Sequence, residues 1–199
     1  MKIVVIGANG IIGQSIVAEL KEHEVVKVGH SKGNYRVDIE DRGSIKAMLE
    51  KVGQVDAVVS ATGNGVFASI EELTFDQIKA AINSKLLGQI NIFQIGRAYV
   101  REGGSITLTS GVLAQHPMRG GSALSLVNGA IESFVKATAF ELDHKLRLNA
   151  VSPHFVKETM DMMDMDSTSG ISASDTAKAY RHAVLTKETG QTFDVADYI

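Results

Sequence analysis

The 199-residue sequence contains no cysteine and no tryptophan, only two prolines, and no long apolar run. The absence of cysteine excludes disulfide bonds, thiolate nucleophiles and cysteine-based zinc sites, and it is consistent with a reducing cytoplasm. Because no apolar stretch reaches about 18 residues, the sequence predicts no membrane-spanning helix. We therefore expect a soluble cytoplasmic protein in which residues 1–199 form a single domain.

A strong charge of one sign is also missing, since 20 Lys and Arg stand against 23 Asp and Glu, for a formal net charge of −3. This balance provides no basic surface for nucleic acid or for an anionic membrane, and we expect neither as a partner. Hydrophobic residues make up 44% of the chain and charged residues 22%, which excludes a disordered protein. Glycine, by contrast, is frequent, with 19 residues that indicate tight turns and close backbone approaches.

Short β-branched runs alternate with amphipathic helical patterns along the whole chain. Strands are predicted at 3–6, 25–28, 57–60, 105–108, 147–151 and 192–195, and helices at 11–22, 44–52, 74–82, 86–100, 122–142 and 175–184. The helices 74–82 and 86–100 are either separate or one continuous helix. Strand–helix alternation with short connections predicts an α/β protein with a Rossmann-type doubly wound parallel sheet in a three-layer α/β/α arrangement.

The segment Met160–Ser172 has no clear period, and it is either a mobile loop near a site or a solvated connection. Its four methionines favour an adaptable apolar lid. Its three aspartates lack the glycine and the terminal glutamate of a calcium loop. We expect no metal site.

A glycine-rich turn separates the first predicted strand from the first predicted helix, with the sequence Gly7-Ala8-Asn9-Gly10-Ile11-Ile12-Gly13. The first glycine permits a sharp turn, the second lets the backbone approach a pyrophosphate, and the third lets helix and sheet pack closely. The helix N-terminus adds unpaired N–H groups and a partial positive charge. This pattern predicts a dinucleotide site whose contacts include Gly7, Asn9, Gly10, Ile12 and Gly13.

The end of the second predicted strand indicates which dinucleotide binds. An acidic residue there would bind a ribose 2′-hydroxyl and repel a 2′-phosphate. The sequence instead has His30, Ser31 and Lys32 between two glycines. We therefore expect NADP(H) more than NAD(H), the alternative being a polar surface loop with Lys32 in water.

Further motifs follow in a characteristic order. They are Val37-Asp38-Ile39, Ser60-Ala61-Thr62-Gly63, Gly104-Ser105-Ile106, Gly129-Ala130-Ile131-Glu132, Asn149-Ala150-Val151-Ser152-Pro153 and Thr189-Gly190-Gln191. Together with the glycine-rich turn they resemble the short-chain dehydrogenase/reductase family over nearly the whole chain. The resemblance implies that Asp38 and Ile39 border the adenine and that Ala61, Thr62 and Gly63 line its ribose. It also places Ser110, Asn128 and Pro153 among the cofactor contacts.

The catalytic residues of that family are missing from this chain. The family uses a Ser, a Tyr thirteen residues later and a Lys four residues after the Tyr. Counted from Gly104-Ser105-Ile106, these positions hold Gly111, Leu124 and Asn128. The chain thus resembles a divergent branch of the family with a non-standard or impaired catalytic set.

Three side chains are candidate replacements for the missing proton donor: Lys85, His116 and His154. An imidazole exchanges protons near neutral pH, and a lysine that is desolvated in a cleft can do the same. A further family residue, an Asn in the preceding helix, corresponds either to Asn83 or to Lys85. For each of the three candidates, a structural or solvated role is the alternative.

Two functions remain open at this stage. The first is an NADP(H)-dependent oxidoreductase that moves hydride between the nicotinamide and a small carbonyl or alcohol. The alternative is a non-catalytic NADP(H)-binding sensor or assembly protein. The helix 124–142 is apolar on more than one face, which together with the resemblance predicts a homodimer or homotetramer.

Overall fold

A computed structural model of the chain describes residues 1–142 and 145–199. The strands are β1 Lys2–Ile6, β2 Glu24–Gly29, β3 Tyr35–Arg36, β4 Val55–Ser60, β5 Val100–Thr109, β6 Arg147–Ser152 and β7 Thr192–Asp194. The α-helices are α1 Ile11–Glu19, α2 Arg42–Val52, α3 Phe75–Ala81, α4 Gly88–Gly96, α5 Ser122–Glu141, α6 Lys157–Met162 and α7 Ala173–Leu185. A π-helical turn, Ile82–Leu87, joins α3 to α4, and 3₁₀ turns lie at Val112–Ala114 and Val195–Tyr198.

Within this part of the chain the strands form one parallel sheet in the order β3-β2-β1-β4-β5-β6-β7. Val4 of β1 pairs with Val26 of β2 on one side and with Val58 of β4 on the other. The strand order therefore reverses at β1 and β4, and a crevice opens there outside the carboxyl ends of the strands. The predicted Rossmann-type doubly wound sheet is confirmed.

Alternate side chains of the central strands enter two different cores, because successive residues of a strand point to opposite faces. On one face Val4 and Ile6 pack with residues of α2, α4 and α5. On the other face Ile3 and Val5 pack with residues of α1 and α7. These two apolar layers on opposite faces of the sheet make the three-layer α/β/α arrangement.

Local side-chain chemistry sets several helix starts. Asp41 accepts a hydrogen bond from the Gly43 N–H ahead of α2, and Ser172 accepts one from the Asp175 N–H ahead of α7. Thr74 and Gln77 form a reciprocal capping box at the start of α3. No described helix is long and apolar enough to cross a membrane.

Four features differ from the sequence prediction. The short edge strand β3 was not predicted, because two residues are too few to show the alternation of apolar and polar side chains that marks a strand. The first helix ends at Glu19 rather than residue 22, because residues 20–23 turn back toward β2. The predicted helix 86–100 ends at Gly96, and Val100 already belongs to β5. The segment after residue 160 begins as the end of α6 rather than as a loop.

Candidate functional site

The turn between β1 and α1 is closely packed against the backbone directly after β4. Gly7 has φ +87°, a region that other residues rarely adopt, and a Cβ there would lie 2.2 Å from the Ala61 carbonyl oxygen. A Cβ on Gly13 would lie 1.9 Å from the Gly7 carbonyl oxygen. Helix α1 begins at Ile11, directly after this turn. Its first-turn N–H groups have no intrahelical acceptors and point out of the helix end.

Two cavities lie along the carboxyl edge of the sheet. The outer cavity has a volume of about 490 Å³ and the inner cavity about 230 Å³. Both are lined by Ala61, Thr62 and Gly63, which follow β4, so the two cavities meet at these three residues. Together they form one cleft that passes the start of α1.

The sequence-predicted residues divide between these cavities. The outer cavity is lined by Gly7, Gly10, His30, Asp38 and Ile39, and the inner cavity by Ile12, Lys85, Ser110, Gly111, Leu124, Asn128, Pro153 and His154. Five predicted residues lie outside both linings: Asn9, Gly13, Ser31, Lys32 and His116. Gly13 acts through the packing of α1, and His116 lies on an exposed loop.

The loop after β2 is held in place by an asparagine of the glycine-rich turn. Asn9 Nδ2 donates a hydrogen bond to the Lys32 carbonyl oxygen at 2.8 Å. This contact leaves the side chains of His30, Ser31 and Lys32 exposed beside the outer cavity. Asn9 is therefore placed to position the loop.

Two acidic side chains, Asp38 and Glu40, also line the outer cavity. Asp38 is anchored locally, because its backbone N–H donates to Ser44 Oγ and its carboxylate accepts from the Glu40 N–H. Ile39 packs so closely on α4 that a Cβ on Gly88 would lie 2.7 Å from its side chain. These contacts thus hold the strand-to-helix segment after β3 against the cavity wall.

The π-helical turn between α3 and α4 brings Lys85 into the inner cavity and leaves Asn83 exposed. Lys85 Nζ donates a hydrogen bond to the Ser110 carbonyl oxygen at 2.9 Å. The backbone of Gly63, at φ +109°, passes so close that a Cβ would lie 2.7 Å from Lys85 Cα. Although the side chain keeps partial exposure to the cleft, burial of its amine lowers the pKa of Lys85 from 10.5 to about 8.

Gly111, Leu124 and Asn128 come together around the inner cavity. A Cβ on Gly111 would lie 2.8 Å from Asn128 Nδ2, and one on Gly65 would lie 2.0 Å from the Leu124 side chain. Asn128 is only 2% exposed, and its Oδ1 has no hydrogen-bond partner within the described structure. A buried acceptor of this kind is a place where a ligand donor fits.

His154 lies on the inner cavity wall and is oriented by an acid that the sequence analysis missed. Its Nε2 is 2.7 Å from Asp194 Oδ1 at the end of β7. The same carboxylate oxygen accepts the Ala196 N–H at 2.9 Å, which fixes its position. Residues 154 and 194 are far apart in sequence, so only the pairing of β6 with β7 brings them together.

Other lining residues were also missed, among them Phe67, Leu113 and Phe155. They are apolar residues in irregular segments, where no periodicity marks them. The inner cavity thus combines apolar walls with two basic side chains, Lys85 and His154. Among its described lining residues there is no tyrosine. The nearby Tyr180 is fully buried, and its hydroxyl hydrogen-bonds to Thr109 Oγ1 at 2.6 Å.

Comparison with known proteins places this geometry in a family. A family model described as enoyl-(acyl carrier protein) reductase matches residues 4–199. The crystal structure of the protein lin1944 from Listeria innocua is 37% identical, with a TM-score of 0.93 over 98% of this chain and 99% of that one. A crystal structure of a small-chain dehydrogenase in complex with NADPH is 27% identical, with a TM-score of 0.86 over 98% and 95% of the two chains.

An uncharacterized oxidoreductase of Methylorubrum extorquens is 28% identical over 162 residues, which are 81% of this chain and 63% of that protein. The chain spans 63% of the length of this oxidoreductase and 54% of the length of a hydroxynaphthalene reductase-like protein of Metarhizium anisopliae. The match over residues 4–199 and the agreement of whole-chain topology settle the classification. The chain belongs to the short-chain dehydrogenase/reductase family of oxidoreductases.

Proposed function

We propose that the protein binds NADP(H) and moves hydride between the nicotinamide and a small carbonyl or alcohol. The observation that carries this proposal is the pair of cavities joined at Ala61–Gly63, with the start of α1 beside them. A dinucleotide needs two such pockets linked past a phosphate-binding helix end.

The residues present fit this cofactor. The N–H groups at the start of α1 would hold the pyrophosphate, and Asp38 and Ile39 would border the adenine in the outer cavity. The unpaired Asn128 Oδ1 would accept a hydrogen bond from a ribose hydroxyl. When bound, the nicotinamide supplies or accepts the hydride.

A preference for NADP(H) is supported by the charge at the end of β2. His30 lines the outer cavity, and Ser31 and Lys32 extend beside it. No carboxylate occupies this stretch. These residues provide hydrogen-bond donors for a 2′-phosphate. They provide no acidic side chain of the kind that usually binds a 2′-hydroxyl. The NADPH in the 27%-identical structure supports the same assignment.

For the proton that accompanies hydride transfer, the geometry favours His154 over the other two candidates. It lines the inner cavity, and Asp194 holds its Nε2, which leaves Nδ1 for exchange with a substrate oxygen. His116 lies outside the cavity lining. Lys85 is the second candidate, because burial places its pKa near 8.

The non-catalytic alternative is favoured by one observation. Leu124 lines the inner cavity. The motif spacing assigns Leu124 to the family's tyrosine position, which would leave that position without an ionisable hydroxyl. A sensor would bind NADP(H) in the same cleft without turnover. In that case a protein partner would bind in a nucleotide-dependent manner.

The deciding experiment is a calorimetric titration with NADPH and with NADH at low salt, followed by NADPH oxidation assays on a panel of carbonyl compounds. Tighter binding of NADPH together with NADPH oxidation in the presence of one class of carbonyl compound supports the proposal. Binding without any turnover favours the sensor. If neither NADPH nor NADH binds, both the oxidoreductase and the sensor function are refuted.

We also propose that α5 associates with a second copy of this chain. Phe140 is 90% exposed and Leu126 is 50% exposed, and a Cβ on Gly129 between them would meet nothing within 4 Å. An exposed apolar helix face suits a symmetric contact. Light scattering should give a dimer or tetramer mass, and Phe140→Lys should shift it toward the monomer. A monomeric wild type would refute this assembly.

A further inference from the structure

The inner cavity contains a lysine amine that has no opposite charge beside it among the described residues. Lys85 Nζ donates one hydrogen bond, to the Ser110 carbonyl oxygen. An ammonium group has three donors, so two remain for other acceptors. Among the residues that the structure describes, no carboxylate forms an ion pair with this amine.

In the described part of the chain, the surroundings of Lys85 contain a second basic group and no free carboxylate. None of the described residues that line the inner cavity is acidic, and the other ionisable side chain there is His154, paired with Asp194. On the α5 side, Glu132 is engaged by the Ser110 hydroxyl at 2.9 Å and by the Gln115 amide at 2.7 Å. Glu132 lies outside the lining of the cavity.

A buried ammonium without a counter-charge is unfavourable, and a bound anion would remove that cost. The lowered pKa of Lys85, about 8, reflects this burial. Because this pKa still lies above 7, the amine is mostly protonated at neutral pH. A carboxylate that enters the cavity would therefore meet a cation that folding has already partly desolvated.

Besides Lys85 and His154, the polar residues on the wall are Thr62, Thr109, Ser110 and Asn128, and much of the remaining wall is apolar. Phe67, Val112, Leu113, Leu124 and Phe155 line it, and its volume is about 230 Å³. A nicotinamide would take up part of this space, so the remaining room suits only a small molecule. Such a ligand needs one anionic end and a short apolar remainder.

We infer that the substrate is a small carbonyl compound that bears a carboxylate, as a 2-oxo acid does, and that Lys85 selects it by binding the carboxylate. This inference rests on the proposed hydride-transfer function. It makes Lys85 a specificity-determining residue and leaves proton exchange to His154.

Binding of matched ligands to the NADP⁺-saturated protein tests the inference. Pyruvate and its uncharged isostere pyruvamide form one pair, and 2-oxohexanoate and its amide form a longer pair. NADP⁺ carries no hydride to donate, so calorimetry measures binding alone. At pH 7 each carboxylate should bind about 10- to 100-fold more tightly than its amide, the range expected for a hydrogen bond to a charged group. Equal affinities within both pairs would overturn the inference.

Variants assign the preference to one residue. Lys85→Met should abolish it, whereas Lys79→Met, which removes an exposed lysine of the same helical run, should preserve it. His154→Gln should also preserve it, because the charge at issue is that of Lys85. Thermal unfolding checks that each variant is folded. Retention of the preference in Lys85→Met would overturn the assignment.

The wild-type protein provides a second test that needs no variant. Above pH 8 the Lys85 amine loses its proton, so the affinity for the carboxylates should fall with rising pH while that for the amides stays level. His154, Asp194 and Glu132 are the other titratable groups that face this region. The His154→Gln variant separates the contribution of the histidine. A carboxylate affinity that is unchanged between pH 7 and pH 9.5 would count against Lys85.

Failure of this inference and failure of the proposed function give different results. If NADPH and NADP⁺ both fail to bind, the proposed function falls and the ligand pairs are then compared on the nucleotide-free protein. If the nucleotides bind and the carboxylates bind no more tightly than their amides, only the inference about Lys85 is refuted.

Discussion

Replacing Gly10 with aspartate should separate the stability of this protein from its ability to bind a dinucleotide. Gly10 is the residue before α1, with φ −74° and ψ 168°, and it makes no side-chain cap. These angles suit any residue, and the nearest atom to a new Cβ is the Gly7 carbonyl oxygen at 3.4 Å. The fold should therefore accept Gly10→Asp without strain.

The new carboxylate would stabilise the free protein. An aspartate at this position can accept a first-turn N–H and interacts favourably with the helix dipole, together worth about 0.5–1.5 kcal/mol. For a chain of this length the melting temperature should rise by about 2–4 °C per kcal/mol. The same N–H groups would then be occupied when a pyrophosphate arrives.

The loss of binding free energy for NADPH should be larger than the gain in the free energy of unfolding. A unit charge about 5 Å from a phosphate costs roughly 3 kcal/mol at an effective dielectric constant of about 20. Such a cost corresponds to a loss of more than about 100-fold in NADPH affinity. Gly10→Asn is the matched control, because it caps the helix equally well without the charge and should weaken binding less.

Calorimetry with NADPH and thermal unfolding of the free protein measure both effects. Wild-type affinity in Gly10→Asp would refute the placement of the pyrophosphate at α1. A large drop in melting temperature would instead show that the turn does not tolerate a side chain, contrary to its geometry.

The remaining predictions concern packing, selectivity and chemistry. Gly13→Ala should destabilise the fold by about 1–3 kcal/mol, because its Cβ would lie 1.9 Å from the Gly7 carbonyl oxygen; denaturant unfolding measures this, and Gly96→Ala, whose Cβ would lie 3.6 Å from the Ile106 side chain, is the control. Lys32→Glu should weaken NADPH binding and leave NADH binding nearly unchanged; an equal loss for both would exclude a contact with the 2′-phosphate. His154→Gln should slow hydride transfer by about 10²–10⁴-fold while NADPH affinity is preserved, as single-turnover assays can show. Asp194→Asn should have a smaller effect on the same rate and alter its pH profile, and an unchanged profile would argue against the His154–Asp194 pair.

Patterns within short stretches of sequence were sufficient to predict the fold and the glycine-rich turn. Alternating β-branched runs and helical periods predict the parallel sheet, because burial on both faces leaves a continuous apolar signal in each strand. The spacing of Gly7, Gly10 and Gly13 predicts the turn, because a side chain at each of these positions is expected to prevent a close local contact. The edge strand β3 escaped this reasoning, since a pair of residues has no period.

Local sequence patterns could not decide whether Asn83 or Lys85 faces the cleft. Both lie in a stretch that reads as ordinary helix, and an α-helical period does not say which of them faces the cleft. The π-helical turn Ile82–Leu87 shifts the helix phase, and Gly63 admits the Lys85 backbone beside it. Only this packing turns Lys85 into the cavity.

The sequence by itself determined the sheet, the glycine-rich turn and the family to which they belong, because each depends on residues that are neighbours along the chain. The tertiary structure alone decided which basic groups share the inner cavity, which acid orients His154 and which amine has no counter-charge among the described residues. Those properties depend on residues from separate strands and helices, and on the desolvation that arises only when they pack together.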